Sequence, residues 1–321
     1  MAAGRGASGK LGRVPLSDEP PPGRRPLLVA ALGGNALLRR GEEPSVTVQR
    51  RNAQAAVAAL APLFADHDVV VTHGNGPQVG LLALRATEDG DPLDVLGAES
   101  EALIGYLLVQ ALAGALPDRE VVAMLTQVVV DADDPALAAP EKPIGPVYDR
   151  GTAERLARDH GWSIARDGDR WRRVVGSPLP REIVEIGVVR RLVDDGVTVV
   201  CAGGGGIPVA RGSDGRLRGV EAVVDKDRAS ALLARRLGAD ALLLLTDVPA
   251  LIRGFGTPDA RPIAELRPGD PVIDELPAGS MGPKVAAARA FADGGGVAAI
   301  GALEDAAAIA AGRAGTRVLA A

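Results

Sequence analysis

Short unbroken apolar runs alternate along the chain with longer stretches whose apolar positions recur every three to four residues. The runs Leu27–Leu32, Val69–Thr72, Val197–Cys201 and Ala241–Leu245 lack the polar alternation of a half-exposed strand, so they read as strands buried on both faces. Helical spacing is expected from Gly33-Gly34-Asn35 to about Phe64, after His73-Gly74-Asn75-Gly76-Pro77, and over Val95–Leu116. Further helices are expected over Arg181–Asp194, from near Asp225, and from Met281-Gly282-Pro283-Lys284. Val121–Val130, Val297–Ile300 and Thr316–Leu319 read as additional strands, and a polar hairpin is expected around Ser213-Asp214-Gly215. Strands alternating with helices in this way predict an α/β domain whose mostly parallel sheet is covered on both faces.

Two segments break the rhythm. Residues 1–25, rich in Gly, Pro and Arg, read as a flexible extension without the apolar stretch of a signal peptide. From about 131 to 175 prolines cluster, and Trp162–Arg166 and Arg170–Val174 flank Asp167-Gly168-Asp169 as a hairpin would. This stretch is expected to be a small inserted, protruding subdomain in the 26–321 domain, with tryptophans on both arms forming a small core.

Composition narrows the partners. Thirty-six basic against 41 acidic residues give a net charge of −5, which argues against broad nucleic-acid binding. One cysteine excludes a disulfide framework and a cysteine-based zinc site, and three scattered histidines suggest no metal site. No apolar run reaches the roughly 18 residues of a membrane span, so a cytoplasmic protein without a membrane partner is expected. The basic residues comprise only four lysines, Lys10, Lys142, Lys226 and Lys284, the rest being arginine. Lysine persisting in so arginine-rich a chain points to sites that need a compact ammonium.

The chemistry-bearing residues gather where strands end. Gly33-Gly34-Asn35, Gly74-Asn75-Gly76 and the turn opening with Gly203-Gly204 each follow an apolar run. Glycine lets backbone N–H groups approach an anion at a helix start, so three such turns on one sheet edge suggest a polyphosphate ligand. The usual phosphate-loop and dinucleotide fingerprints are absent. Asp225-Lys226-Asp227 opens a helix, where its acids could also serve simply as caps. Lys284 sits in a first helical turn and opposes the helix dipole unless an anion answers it. Thr246-Asp247 ends a central strand at the same edge, His73 reads as a turn-stabilising residue, and Cys201 as core.

In this order and spacing the motifs resemble carbamate kinase, of the amino-acid kinase family, over roughly Leu27 to Leu319. Besides the turns above, the resemblance rests on Ile104-Gly105-Tyr106, Lys142-Pro143-Ile144-Gly145-Pro146, Gly219 to Asp227 and Gly279-Ser280-Met281-Gly282-Pro283-Lys284-Val285. It implies a three-layer α/β/α sandwich with an open sheet, a homodimer, and reversible phosphoryl transfer between ATP and carbamate, with Mg²⁺ accompanying ATP or ADP. Flux toward ATP, from carbamoyl phosphate made in arginine catabolism, is the direction the family suggests. By the same resemblance Gly33, Gly34, Asn35, Gly74, Asn75 and Gly76 would hold the transferring group. Lys142 would reach the carbamoyl phosphate side from the insertion, and Lys226 would neutralise the transferring group, with Asp227 fixing the lysines. Lys284 would bind nucleotide phosphates, with Thr246, Asp247 and Met281 nearby. Two residues depart from the pattern: Glu101 stands where a glutamine is usual, expected at the dimer interface, and Glu141 precedes Lys142 in place of threonine. A related small-molecule kinase, or a nucleotide-binding sensor or storage protein without turnover, is the alternative; the lysine-free stretch Leu27–Asn35 speaks against carboxylate-binding kinases.

Overall fold

The computed structural model describes residues 25–39, 41–85, 91–276 and 281–321. The extension up to residue 24, Lys10 with it, and Gly279 and Ser280 lie outside the described residues. The central sheet has eight strands: β1 (Leu27–Leu32), β2 (Asp68–His73), β3 (Val121–Ala123), β4 (Thr198–Val200), β5 (Ala241–Thr246), β6 (Glu265–Leu266), β7 (Val297–Ala302) and β8 (Thr316–Val318). Their spatial order is β6-β8-β7-β5-β1-β2-β4-β3, and every pairing is parallel except β7 with β8.

Period-two geometry divides the apolar runs between two cores. Val29, Ala31, Leu242 and Leu244 face helices α4 (Lys226–Leu237) and α5 (Met281–Ala292), packing with Ala229, Leu233, Ala288 and Phe291. Leu28, Ala30, Leu243 and Leu245 face α1 (Val46–Leu60) and α3 (Leu93–Ala115), packing with Val57, Leu60, Ile104 and Leu108. Burial on both faces explains the unbroken hydrophobicity of these strands. By length and composition α3 is the one helix among the described residues that could cross a membrane. Its Ile104, Leu107, Leu108 and Leu112 nevertheless lie in the core.

Several sequence expectations need correction. Val121–Val130 is two strands in two sheets: β3 closes the main sheet, whereas Gln127–Val129 pairs with Ile207–Arg211 and Glu182–Ile183 in a four-stranded sheet. The intervening Thr126 is buried and turned to polar partners, which breaks the run. The expected helix over Arg181–Asp194 begins only at Ile186, because Glu182–Ile183 joins that second sheet. After β1 the chain makes a short 3-10 turn, Gly34–Ala36, before α1 starts at Val46 behind the Ser45 cap.

Lys142–Tyr148, Arg170–Val175 and Ser163–Asp167 form a separate three-stranded antiparallel sheet beside the helix Arg150–His160. The tryptophans there meet cations and a ring: Trp162 stacks on His160 with centroids 4.8 Å apart and takes the Arg173 guanidinium at 4.6 Å, while Trp171 takes Arg150 at 5.9 Å. The buried positions are aliphatic instead: Ile144, Ala153, Val174 and Val175. This unit meets the main domain where α2 (Gly76–Arg85) crosses Gly145. A methyl group on Gly80 would lie 1.9 Å from the Gly145 Cα.

Candidate active site

Strand register brings the glycine turns together. Leu32 pairs with His73 on one side and Leu245 on the other, so Gly33, Gly74 and Thr246 follow at one level on the carboxyl edge. Val71 pairs with Val200, which brings the turn beginning at Gly203 beside Gly74. The Gly33 N–H donates to the Leu245 carbonyl at 3.0 Å, and the Gly74 N–H to the Leu32 carbonyl at 3.0 Å. The first two turns touch backbone to backbone: a methyl on Gly74 would meet the Gly34 nitrogen at 2.8 Å. The third packs on the second, since a methyl on Gly204 would lie 2.1 Å from the Asn75 side chain. Glycine is required at these places, and Gly204 and Gly205 also take positive φ, of 67° and 98°. In the first turn of α2 Pro77 has no N–H and the Val79 N–H donates to the Asn75 carbonyl at 2.9 Å, which leaves those of Gly76 and Gln78 without a carbonyl within the helix.

Beside the turns, the start of α4 carries the charges. Asp225 is the helix cap, its Oδ1 accepting the Asp227 and Arg228 N–H groups at 3.0 and 3.2 Å, so one of the two acids does the capping. The other does not. Asp227, its side chain 5% exposed, accepts from Lys226 Nζ at 2.5 Å on one oxygen and from Lys284 Nζ at 2.8 Å on the other. Lys142 reaches across from the three-stranded sheet to Asp225 Oδ2 at 2.8 Å. Three ammonium groups thus meet two carboxylates, and the cluster retains a net positive charge facing the glycine turns. A methyl on Gly74 would come within 3.5 Å of the Lys226 side chain.

Burial and pairing compete in setting the charge states. Burial pushes the Asp227 carboxyl up, but the Lys226 and Lys284 ammonium groups outweigh it and hold it below the usual carboxylate range. Asp225 is likewise held low, burial being outweighed by Lys142. Burial, aided by repulsion from Lys284, brings Lys226 down to about 8, against the pull of Asp227. Lys284 rises above its ordinary value because the Asp227 carboxylate overcomes the effect of burial. Lys284 therefore has the anionic partner that its place in a first helical turn demanded. On the far side, Asp247 accepts from Asn35 Nδ2 at 3.0 Å and from Thr246 Oγ1 at 3.1 Å, and Met281 opens α5 three residues before Lys284.

Some residues of the site escaped sequence reasoning. Ser230 Oγ donates to the Lys226 carbonyl at 2.6 Å and meets Thr72 Oγ1 at 2.6 Å, tying β2 to the helix that carries Lys226. Ser100 Oγ accepts from Asn75 Nδ2 at 2.8 Å. Glu101 does not lie on an outer interface: it is 3% exposed and its carboxyl takes the N–H groups of Gly203 and Thr126. The available signal was polarity, a Ser-Glu pair at inward positions of an apolar helix and a threonine ending an apolar strand. His73 is fully buried, with Nδ1 3.3 Å from the Gly74 carbonyl and its pKa lowered by burial to about 4, in keeping with a neutral, turn-holding ring.

Comparison with known proteins shows the family. The model of the amino acid kinase family matches residues 26–300. A carbamate kinase of Rhizobium meliloti (strain 1021) is 52% identical over 286 residues, 87% of this chain and 88% of its own length. One of Haemophilus influenzae is 50% identical, over 91% of this chain and 96% of its own. The structure of carbamate kinase from Giardia lamblia bound to AMP-PNP superposes with a TM-score of 0.81 at 37% identity, covering 92% of this chain and 99% of that one. The fold likeness extends to a UMP kinase from Bacillus anthracis, at 16% identity and a TM-score of 0.53. The chain therefore belongs to the amino acid kinase family, among its carbamate kinases.

Proposed function

We infer that the glycine turns and the lysine cluster centred on Asp227 carry out reversible phosphoryl transfer between ATP and carbamate, giving ADP and carbamoyl phosphate. The observation that carries this reading is the Asp227 clamp, which aims Lys226 and Lys284 at the edge where the turns converge. In the direction of ATP synthesis, an oxygen of the ADP β-phosphate attacks the phosphorus of carbamoyl phosphate. The bond to the carbamate oxygen breaks, and carbamate leaves with the electron pair. Such a loose transition state needs positioning and charge stabilisation rather than a protein nucleophile. Gly34, Asn35, Asn75 and Gly76 offer backbone N–H groups to the transferring phosphoryl oxygens; Gly33 and Gly74, whose own N–H groups bond to Leu245 and Leu32, hold the turns close, with Gly203 and Gly204 closing the cradle. Lys226 sits against the group in flight, Lys142 serves carbamoyl phosphate, and Lys284 serves the nucleotide phosphates with Thr246, Asp247 and Met281 beside them.

Magnesium would travel with the nucleotide. Among the described residues no three His, Cys, Asp or Glu side chains converge. Asp227 is taken by two ammonium groups, whereas Asp247 keeps an exposed carboxylate. That donor set fits an ion carried on phosphate oxygens and touched by one carboxylate, where it would neutralise phosphate charge. The three-stranded unit bearing Lys142 would act as a lid over the site. A homodimer through the outer face of α3, where Tyr106 is 53% exposed, completes the reading, with the protein in the cytoplasm and flux from arginine-derived carbamoyl phosphate. The test is coupled measurement of ATP formation: with Mg-ADP the protein should make ATP from carbamoyl phosphate, and with Mg-ATP it should not phosphorylate aspartate, N-acetylglutamate or UMP. No ATP above the uncatalysed rate across pH 6 to 9 would sink it.

A further inference from the structure

The third glycine turn is held from an unexpected direction. Glu101 reaches it from the inner face of α3; its Oε1 accepts the Gly203 N–H at 2.8 Å and its Oε2 the Thr126 N–H at 3.2 Å. Thr126 extends the brace: its Oγ1 accepts the Ala202 N–H at 3.0 Å and its carbonyl accepts from Ile207 at 2.8 Å. Ala202 has φ of 50°, the only non-glycine among the described residues in the left-handed region, so the turn adopts an unfavourable conformation that needs holding. The fit around it is close. A methyl on Gly203 would lie 2.3 Å from His73 Nε2 and 2.9 Å from Glu101 Cγ, so the Gly203 backbone lies between the imidazole and the carboxyl. One residue earlier, Ser100 holds Asn75 of the second turn.

We propose that Glu101 is a positioning residue of the transfer site: without touching substrate, its carboxyl fixes the Gly203–Gly206 turn against Asn75, and so shapes the carbamoyl phosphate side of the cradle. The inference rests on the functional reading above. The carboxyl also has a protonation state to report. Burial pushes it up to about 8 despite the two N–H bonds that favour its anion, and the Glu185 carboxylate pushes the same way. The other titratable groups near it are His73, held neutral by burial, and the Cys201 thiol, which burial raises and keeps protonated. Burial thus works against the Glu101 anion while both of its oxygens accept N–H donors; where the carboxyl is ionised it is a buried anion under a phosphate-binding turn, which opposes an anionic substrate.

Two variants test this. Glu101→Leu keeps the bulk and strands two buried N–H donors. Amide exchange at 203–206 should quicken at least tenfold, and kcat/KM for carbamoyl phosphate should fall at least tenfold with KM for ADP within about twofold. Glu101→Gln keeps an oxygen for Gly203 and cannot ionise. It should recover kcat/KM to within about threefold at pH 7 and hold its rate better than the parent above pH 8. Lys226 titrates in the same window in both proteins, so the difference between the two profiles isolates Glu101. Parent-like kinetics and exchange in Glu101→Leu would overturn the proposal. If that variant does not fold, a Glu101→Gln pH profile superimposable on the parent's overturns it. A parent that makes no ATP contradicts the functional reading instead, and exchange at 203–206 still reads the Glu101 brace.

Discussion

Lysine and arginine carry the same charge at neutral pH, and a chain this rich in arginine has kept lysine where a point charge is needed. All three lysines of the described residues meet at one place, bonded to Asp225 and Asp227, so scarcity in the sequence picked out residues that the fold brings together. The bracing polar groups left a fainter mark, because Thr72, Ser100 and Ser230 are single hydroxyls whose partners on other elements lie 25 and 158 residues away. His73 supplies a prediction at this scale. Its folded pKa near 4 lies below the 6.5 of a free imidazole, so between these values the unfolded chain binds the extra proton and stability falls as pH falls. Thermal melts should therefore show Tm dropping from pH 6.5 to 4, and His73→Asn should flatten that part of the profile. An unchanged slope in the variant would assign the acid sensitivity elsewhere.

Strands and helices were legible where both faces or one stripe are apolar: β1, β2, β5, α3 and α4 stand close to where periodicity put them. Periodicity failed at 121–130, where the chain leaves one sheet for another without a Gly or Pro to signal it, and at 181–185, where a two-residue strand precedes the helix. The contact of α2 with the three-stranded unit was equally invisible, because it depends on two glycines 65 residues apart. It is also testable. Alanine at Gly80 would drive its methyl into the Gly145 backbone, and Gly145 cannot yield easily at φ of 72°. Gly80→Ala should cost about 1–3 kcal/mol of stability, as overpacking does, and should displace Lys142. Calorimetry should record the loss, and kcat/KM for carbamoyl phosphate should fall more than that for ADP. An equal fall for both substrates would mean that the contact does not orient the lid.

Over the whole molecule, α3 faces two ways. Its inner side carries Ser100 and Glu101 to the glycine turns, while Tyr106 lies outside with Arg50 6.0 Å over its ring. Sedimentation should find a dimer, and Tyr106→Glu should convert it to a monomer; a parent already monomeric at micromolar concentration would refute the assembly. The central claim concerns the buried ammonium at the heart of the cluster. Lys226 has a side chain 10% exposed, between Asp227 and the Gly74 turn, and a guanidinium cannot take its place without moving one of them. The most direct measurement is the steady-state rate of ATP formation from carbamoyl phosphate and Mg-ADP by Lys226→Arg, with Lys10→Arg as the matched control. Losing a pre-organised donor to developing charge should lower kcat by about 10² to 10³, or about 3–4 kcal/mol, while KM for ADP changes little and the control matches the parent. A folded Lys226→Arg enzyme with kcat within about threefold of the parent would contradict the account.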